Sequence, residues 1–274
     1  MKRSVWSRLL AAAIAAASLL ALAGCGQSDG STAAGTDDSL QKVTDSGKLV
    51  LGLDASFPPM GYRDAFGTIT GFDIDVAQEV CDRLGVELIN QPIDWDEKET
   101  LLNDGSIDCI WNGMSVTPAR AETMNLSEPY MKNEMVFLVS SDSQIKSISD
   151  LKGATVGVQS GSTAEELLEA SELSADVTTI PLENNIMLLT QLALGHVDAV
   201  FLDSIVAYYM IKKDYNNGYV LPGNLAEEEY AVGFRKGDQT LRDAVQQTLD
   251  EMNADGTLAE ISVKWFGSDI TSLR

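Results

Sequence analysis

A short pattern occurs twice in this sequence, ninety residues apart, and it constrains the fold more than any other feature. Residues 102–110 and 192–200 align on a glycine, a β-branched residue and an aspartate. Upstream, residues 49–54 (LVLGLD) and 154–159 (ATVGVQ) align on a shared glycine. An internal repeat of this kind predicts two copies of one structural unit. Chance similarity between the turns of α/β proteins is the alternative explanation.

Each half of the chain alternates predicted strands and helices. Residues 48–53, 87–93 and 107–111 are short, mostly apolar runs, which are typical of buried strands. Between the first two, apolar residues recur at helical spacing from Ile74, and Gly85 ends that helix. This alternation predicts a mostly parallel sheet covered by helices. Two halves therefore predict an α/β fold with two such lobes.

Two predicted strands, near residues 135–139 and 231–234, connect the lobes as a hinge. Helical patterns after them are expected to return to the first lobe. The predicted layout is lobe 1 at residues 39–137, lobe 2 at residues 138–230, and a return strand with the C-terminal helices of lobe 1 at residues 231–274.

Polar and aromatic residues follow the predicted strands in both halves. In open α/β sheets ligands bind beyond the carboxyl ends of the strands, so these residues form the predicted site. Asp73, at the positive N-terminal end of a predicted helix, joins them. Ser162 would also cap a helix, and that role alone could explain it. The predicted ligand-binding residues are Asp54, Phe57, Asp73, Trp95, Asn112, Gly113, Met114, Ser115, Arg120, Gln159, Ser162, Thr163 and Asp203.

Two charged residues of this set suggest the chemistry of the ligand. Arg120 ends a polar loop, and its planar guanidinium is suited to a carboxylate. Asp203 follows a strand of the other half and would face it across a cleft. Together they match the carboxylate and the ammonium group of an α-amino acid. A structural salt bridge is the alternative role for Arg120.

The first residues predict a targeting segment. Lys2, Arg3 and Arg8 precede an apolar run at residues 9–23, which is short for a transmembrane helix. The sequence Leu-Ala-Gly-Cys, ending at Cys25, resembles the lipobox of bacterial lipoproteins. That resemblance implies a signal peptide at residues 1–24 and a diacylglyceryl group on Cys25, whereas a plain secretory peptide is the alternative. Residues 25–38 are predicted to be a flexible tether.

Charge and composition exclude several classes of function. Without residues 1–24 the chain keeps 16 basic and 41 acidic side chains, a formal charge of −25, which argues against nucleic-acid binding. One histidine and two distant cysteines form no metal-ligand cluster, so neither a metal nor another cofactor is predicted. Cys81 and Cys109 could form a disulfide or remain two buried thiols.

Eight segments together carry a resemblance to a known family: residues 54–59 (DASFPP), 71–75 (GFDID), 113–120 (GMSVTPAR), 127–130 (SEPY), 150–153 (DLKG), 157–163 (GVQSGST), 198–200 (DAV) and 264–267 (KWFG). Through them the chain, over about residues 39–270, resembles extracellular solute-binding proteins of the polar amino-acid family, which serve ABC importers. The resemblance implies a periplasmic-binding-protein-like type II fold, with two hinged lobes that close like a Venus flytrap, and no catalysis. It also implies a free polar amino acid as ligand, permease subunits as partners, and an extracytoplasmic protein held at the bacterial membrane by lipid on Cys25.

The resemblance also implies roles for individual residues. Arg120 would clamp the ligand carboxylate, assisted by Ser115 and Thr163. Asp203 and the Gly113 carbonyl would receive the ammonium group. The side chain would lie between apolar walls formed by Phe57 and Trp95. Trp111-Asn112 departs from the family pattern, and Trp111 could either reshape the pocket or pack in the core.

Two questions stay open at this stage. An enzyme on the same scaffold, such as a dehydratase of prephenate-like acids, is the main alternative, and a ligand-sensing receptor component is another. The identity of the amino acid is also open. Asp54 and Asp73 would suit a basic side chain, whereas Asn112 and Gln159 would suit an amide or another polar group.

Overall fold

The computed structural model of the protein describes residues 37–213, 215 and 217–273. The predicted signal peptide, Cys25 and nearly all of the predicted tether lie outside these residues. Residues 37–274 form a compact unit of their own. No helix within the described ranges is long and apolar enough to cross a membrane.

Strands and helices alternate along most of the chain. The strands are β1 (Lys48–Leu53), β2 (Ser56–Phe57), β3 (Gly61–Arg63), β4 (Ile69–Thr70), β5 (Glu87–Pro92), β6 (Cys109–Ile110), β7 (Met124–Leu126), β8 (Met131–Ser140), β9 (Thr155–Gln159), β10 (Thr178–Leu182), β11 (Ala199–Asp203), β12 (Gly218–Val220), β13 (Ala226–Tyr230) and β14 (Gly233–Arg235). The helices are α1 (Ser39–Ser46), α2 (Phe72–Leu84), α3 (Lys98–Asp104), α4 (Pro118–Thr123), α5 (Thr163–Ala170), α6 (Asn185–Ala193), α7 (Ser204–Lys213), α8 (Gln239–Asp255) and α9 (Thr257–Phe266).

Two sheets carry the two lobes. In the first, of order β5-β1-β6-β14-β7, the first three strands are parallel and β14 is antiparallel to both of its neighbours. In the second, of order β10-β9-β11-β8-β12, the first three strands are again parallel. There β8 runs antiparallel to β11, β12 and β13. Each sheet is therefore mixed, with parallel strands from the βαβ repeat and antiparallel strands from the segments that connect the lobes.

The internal repeat has a structural counterpart. Asp108 accepts the main-chain N–H of Val50 through Oδ2 (2.9 Å) and donates its own N–H to the carbonyl of Val50 (2.7 Å). Asp198 makes the same two bonds with Thr155, both at 2.8 Å. Each aspartate thus ties the start of one parallel strand to the parallel strand beside it. The two halves share one local architecture, as the repeat predicts.

The glycines of the repeat provide space for a neighbouring side chain. A Cβ added to Gly52 would lie 2.5 Å from Cδ1 of Ile107. A Cβ added to Gly157 would lie 2.6 Å from a methyl group of Leu188, with Val197 at 3.7 Å. Both glycines therefore lie under closely packed aliphatic side chains.

The chain crosses between the sheets at residues 127–130 and again at residues 231–232. Because β8 belongs to the second sheet from Met131 onward, the boundary expected after residue 137 falls inside this strand. The first half of β8 alternates buried and exposed residues and pairs with β13. Only the second half of β8 is an apolar run, and the expected boundary was placed within that run. The returning strand at the hinge is β13, and residues 233–235 already belong to the first sheet as β14.

The largest apolar cluster spans both lobes and includes Leu51 of β1 and Val200 of β11. A second cluster lies within the second lobe, where Phe137 and Phe201 stack with ring centroids 4.4 Å apart. Cys81 and Cys109 are buried and carry free thiols.

Candidate functional site

One cavity lies between the lobes, at the carboxyl ends of the parallel strands. The lining residues are Asp54, Phe57, Trp95, Asn112, Gly113, Ser115, Arg120, Gln159, Ser162, Thr163 and Asp203. All of them belong to the set predicted from the sequence.

Arg120 reaches the cavity from the short helix α4. Thr117 caps this helix by accepting the N–H of Arg120, and Pro118 occupies its first turn. The guanidinium is buried, and Nη1 donates to the carbonyl of Ser115 (2.9 Å) and to Oγ1 of Thr163 (3.0 Å). Within the described residues Nε and Nη2 have no hydrogen-bond partner. The nearest carboxylate, of Glu166, is 3.8 Å from Nη2, beyond hydrogen-bond distance.

Those two nitrogens form one edge of the guanidinium. An edge with two parallel N–H groups binds a carboxylate in bidentate fashion. Buried donors without a partner are costly, because they have lost water and gained nothing in return. The Arg120 edge is therefore suited to a carboxylate that enters the cavity.

Asp203 supplies the opposite charge from the end of β11. Its Oδ1 accepts the Tyr230 hydroxyl (2.5 Å) and Nδ2 of Asn133 (2.8 Å). Burial and the nearby carboxylate of Glu228 raise the pKa of Asp203 to about 7. A ligand ammonium group would lower that pKa again by favouring the ionised carboxylate.

Two aromatic side chains form apolar walls. Phe57 lies on β2 and Trp95 in a short 3₁₀ turn before α3, and both are buried. Between them, Gly113 has φ +57°, and an added Cβ would lie 2.8 Å from Cε1 of Phe57. Only glycine combines that backbone conformation with so close an approach.

Gln159 connects the two lobes at the end of the cavity near Asp54. Nε2 of Gln159 donates to Oδ2 of Asp54 (2.8 Å), and Asn185 donates to Oε1 of Gln159 (2.9 Å). Burial raises the pKa of Asp54 to about 6. Asn112 accepts the N–H of Asp54 (3.1 Å), while its own Nδ2 is buried without a partner among the described residues. This end of the cavity thus carries one carboxylate and two amide side chains.

Comparison with known proteins decides the family. Residues 49–268 match the family described as bacterial extracellular solute-binding proteins, family 3. This chain belongs to that family.

Similar proteins agree with this assignment. The L-cystine-binding protein TcyJ of Escherichia coli K12 is 33% identical over 234 residues, which cover 85% of this chain and 87% of that protein. The arginine-binding extracellular protein ArtP of Bacillus subtilis 168 is 32% identical over 265 residues, with coverages of 95% and 97%. A solved ABC uptake transporter substrate-binding protein of Streptococcus pneumoniae with bound histidine has a TM-score of 0.84 at 35% identity, covering 87% of this chain and 99% of that one.

These findings confirm the resemblance and the two-lobed α/β fold. The chain is an amino-acid-binding, solute-binding protein of the ABC transporter family. Its relatives are named as binding proteins for transport and not as enzymes, which argues against the dehydratase alternative.

Two predicted residues do not line the cavity of this solute-binding protein. Asp73 is fully buried behind Gly113, where it accepts the Gly113 N–H (2.7 Å) and the Tyr130 hydroxyl (2.8 Å). Met114 is also fully buried and packs in an apolar cluster with Trp95. Asp73 was placed in the site because it begins α2, but its side chain faces the strand ends from behind. It supports the cavity wall instead.

Trp111 also belongs to the interior. Its side chain is fully buried in the largest apolar cluster, with its ring centroid 6.3 Å from that of Tyr130. Of the two roles considered for it, core packing is the one that the structure shows.

Sequence reasoning missed Glu228 and Asn133, which lie on the paired hinge strands. Oε2 of Glu228 accepts the Ser115 hydroxyl (3.0 Å) and Nδ2 of Asn133 (3.3 Å), and Asn133 also donates to Asp203. A chain of hydrogen bonds thus connects Ser115 in the first lobe to Asp203 in the second. The signal was available, because strand alternation places Glu228 on the same face as the buried Tyr230.

Proposed function

We propose that this cavity binds one free polar α-amino acid. The ligand carboxylate would bind Nε and Nη2 of Arg120, with Thr163 beside it at the N-terminal end of α5. The ammonium group would bind Asp203 and the carbonyl of Gly113. The observation that carries the proposal is a pair of buried Arg120 nitrogens that have no partner among the described residues, in a cavity that Asp203 also lines.

The ligand side chain would lie between Phe57 and Trp95 and point towards Asp54, Asn112 and Gln159. Those groups are a carboxylate and two amides, so they favour a polar side chain over an aliphatic one. The similar proteins are named for different amino acids, cystine and arginine among them. We therefore propose the class and leave its member to experiment.

A thermal-shift panel tests the proposal directly. Purified residues 37–274, refolded to remove any retained ligand, would be heated with each of the twenty amino acids, cystine and ornithine. At a ligand concentration of 100 Kd, binding adds about 2.7 kcal/mol to the free energy of unfolding, which raises Tm by several degrees. Arg120→Ala and Asp203→Ala should abolish that shift. A flat panel with the wild-type protein would contradict the proposal.

We further propose that the protein is a lipoprotein that delivers its ligand to the permease subunits of an importer. Support comes from the sequence around Cys25 and from the family. One diacylglyceryl group and a loose tether would keep the domain near the membrane while it searches for the transporter. In the producing bacterium, Cys25→Ser should move the protein from the membrane fraction to the soluble extracytoplasmic fraction. Unchanged membrane association would contradict the anchor.

A further inference from the structure

Lys98 is a buried lysine that the proposed binding mode does not use. It begins α3 and is only 4% exposed. Its Nζ donates to the carbonyl of Trp95 (3.1 Å) and to the carbonyl of Gly161 (2.8 Å). The ammonium also lies 5.2 Å from the centroid of the Trp95 ring. Trp95 belongs to the first lobe and Gly161 to the second, so this one cation connects the lobes.

The acceptor in the second lobe lies on a turn that also reaches the ligand cavity. Gly161 has φ +66°, and an added Cβ would lie 2.7 Å from Cα of Asp96. The turn is therefore packed directly against the main chain of the first lobe. Two residues later, Thr163 accepts from Arg120. Lys98 and Arg120 thus hold the same turn from two sides.

The charge of Lys98 has no carboxylate partner at ion-pair distance in the described part of the chain. An ammonium that loses its water needs replacement acceptors, and the two carbonyls and the Trp95 ring supply them. The Gly161 carbonyl is available only when the second lobe lies against the first. The buried charge of Lys98 therefore has all of its acceptors only when the lobes are closed.

We infer that Lys98 is a closure-dependent positioning residue, which holds the closed, ligand-bound form together without touching the ligand. The inference rests on the proposed function, because closure is expected around a bound amino acid. A ligand first meets an open cleft, in which the bond to Gly161 is not yet made. Lys98 should therefore slow ligand dissociation and leave the association rate almost unchanged.

The competing role is local. Lys98 could simply hold the Trp95 carbonyl and the start of α3, within the first lobe. In that case its replacement would lower the stability of the unliganded protein and distort the cavity wall, with effects on association as well as dissociation. The rates of association and dissociation separate the two roles.

Lys98→Met is the test variant, and Lys236→Met is its matched control. Lys236 also donates to two main-chain carbonyls, those of Ala121 (2.8 Å) and Met124 (3.2 Å), but all three residues belong to the first lobe. The probe is the amino acid that gives the largest shift in the thermal panel. Stopped-flow tryptophan fluorescence gives both rate constants.

We expect Lys98→Met to raise the dissociation rate constant about tenfold or more, since it removes hydrogen bonds from a charged donor. Its association rate constant should stay within about twofold of wild type, and Lys236→Met should change neither. An unchanged dissociation rate constant would overturn the inference, and so would a loss of affinity that comes mainly from slower association. A flat panel with the wild-type protein would overturn the proposed function and, with it, the role of Lys98. A positive panel with an unchanged dissociation rate would overturn the role of Lys98 alone, so the two failures are distinguishable.

A second pair of variants tests the closed packing by a different route. Gly161→Ala adds a methyl group where the lobes meet, and Gly153→Ala adds one at φ +81° in the same lobe with nothing within 4 Å. Both substitutions strain the backbone, but only the first obstructs closure. We expect faster dissociation for Gly161→Ala alone. Equal behaviour of the two variants would contradict the packing on which the role of Lys98 depends.

Discussion

At the scale of single residues, the proposed ligand binding depends most on Nε and Nη2 of Arg120, which have no hydrogen-bond partner among the described residues. Arg120→Lys would keep a positive charge that can reach Ser115 and Thr163, but it would lose the paired Nε and Nη2 donors. We expect affinity for the amino acid to fall about 10- to 100-fold, as measured by isothermal titration calorimetry. Arg242→Lys is the control, because Arg242 binds Leu126 and Asp243 away from the cavity. Equal affinities for the two variants would rule out a bidentate carboxylate site.

Through the proposed contact with the ligand ammonium group, Asp203 should make binding depend on pH. In the closed arrangement of the lobes, burial and the carboxylate of Glu228 raise the pKa of Asp203 to about 7. An ammonium ligand requires the ionised form of Asp203, so binding below this pKa must release a proton. Affinity should be fully present above pH 7 and fall by up to about tenfold per unit as the pH drops further. Titrations between pH 5 and 8, with an amino acid that does not itself titrate there, would show this. A flat profile would contradict it.

Asp54 also lines the cavity, and its pKa is about 6, so its titration would give a similar pH dependence. A Glu228 variant distinguishes Asp203 from Asp54. Glu228→Gln removes one of the charges that raise the pKa of Asp203. The fall in affinity should then begin at a lower pH. Glu229→Gln changes an exposed neighbour on the same strand and should leave the profile unchanged.

At the residue scale, the sequence is most informative where a strand end determines the position of a side chain. The parallel strands end at one edge of each sheet, so Asp54, Asn112, Gln159 and Asp203 come together without knowledge of any contact. The sequence is less informative where side-chain direction matters. Asp73 was predicted among the ligand-binding residues, but its carboxylate accepts the Gly113 N–H and does not line the cavity. Lys98 was missed because a lysine at the start of a helix normally indicates a solvated surface.

At the scale of elements, the glycines of the repeat should behave alike. Gly52→Ala and Gly157→Ala would each push a methyl group into a packed aliphatic side chain. We expect each to lower the free energy of unfolding by about 1–3 kcal/mol, measured by urea denaturation. Gly237→Ala, with nothing within 4 Å and an ordinary φ, should have little effect. If all three variants were equally stable, the repeat would have no packing role at these positions.

The hinge shows which features of an element the sequence encodes locally. Burial periodicity predicts that residues 131–140 contain a strand, but periodicity carries no information about the partner of each half. β8 pairs first with β13 and then with β11 and β12, all in the second sheet, so the pairing of its first half with β13 places the lobe boundary before Met131. The boundary therefore depends on pairing between residues about ninety positions apart in sequence, which no local pattern reports.

At the scale of the whole molecule, the two lobes follow from the repeat, whereas their closed arrangement does not. Closure depends on contacts between residues far apart in the chain, such as Gln159 with Asp54 and Lys98 with Gly161. Each of these residues also has an adequate role within its own lobe. The contact between Lys98 and Gly161 becomes visible only in three dimensions.

The shared apolar core predicts that the lobes unfold together. The largest cluster includes side chains from both sheets, and β8 and β13 pair along the connection between them. Separating the lobes would expose that cluster, so neither lobe should persist alone. We expect one urea transition, with coincident midpoints for circular dichroism and tryptophan fluorescence, and a bound amino acid should shift that transition without splitting it. Arg120→Lys should keep the single transition and lose most of the shift. Two separated transitions would show that each lobe has an independent core, and ligand would then stabilise their contact more than either fold.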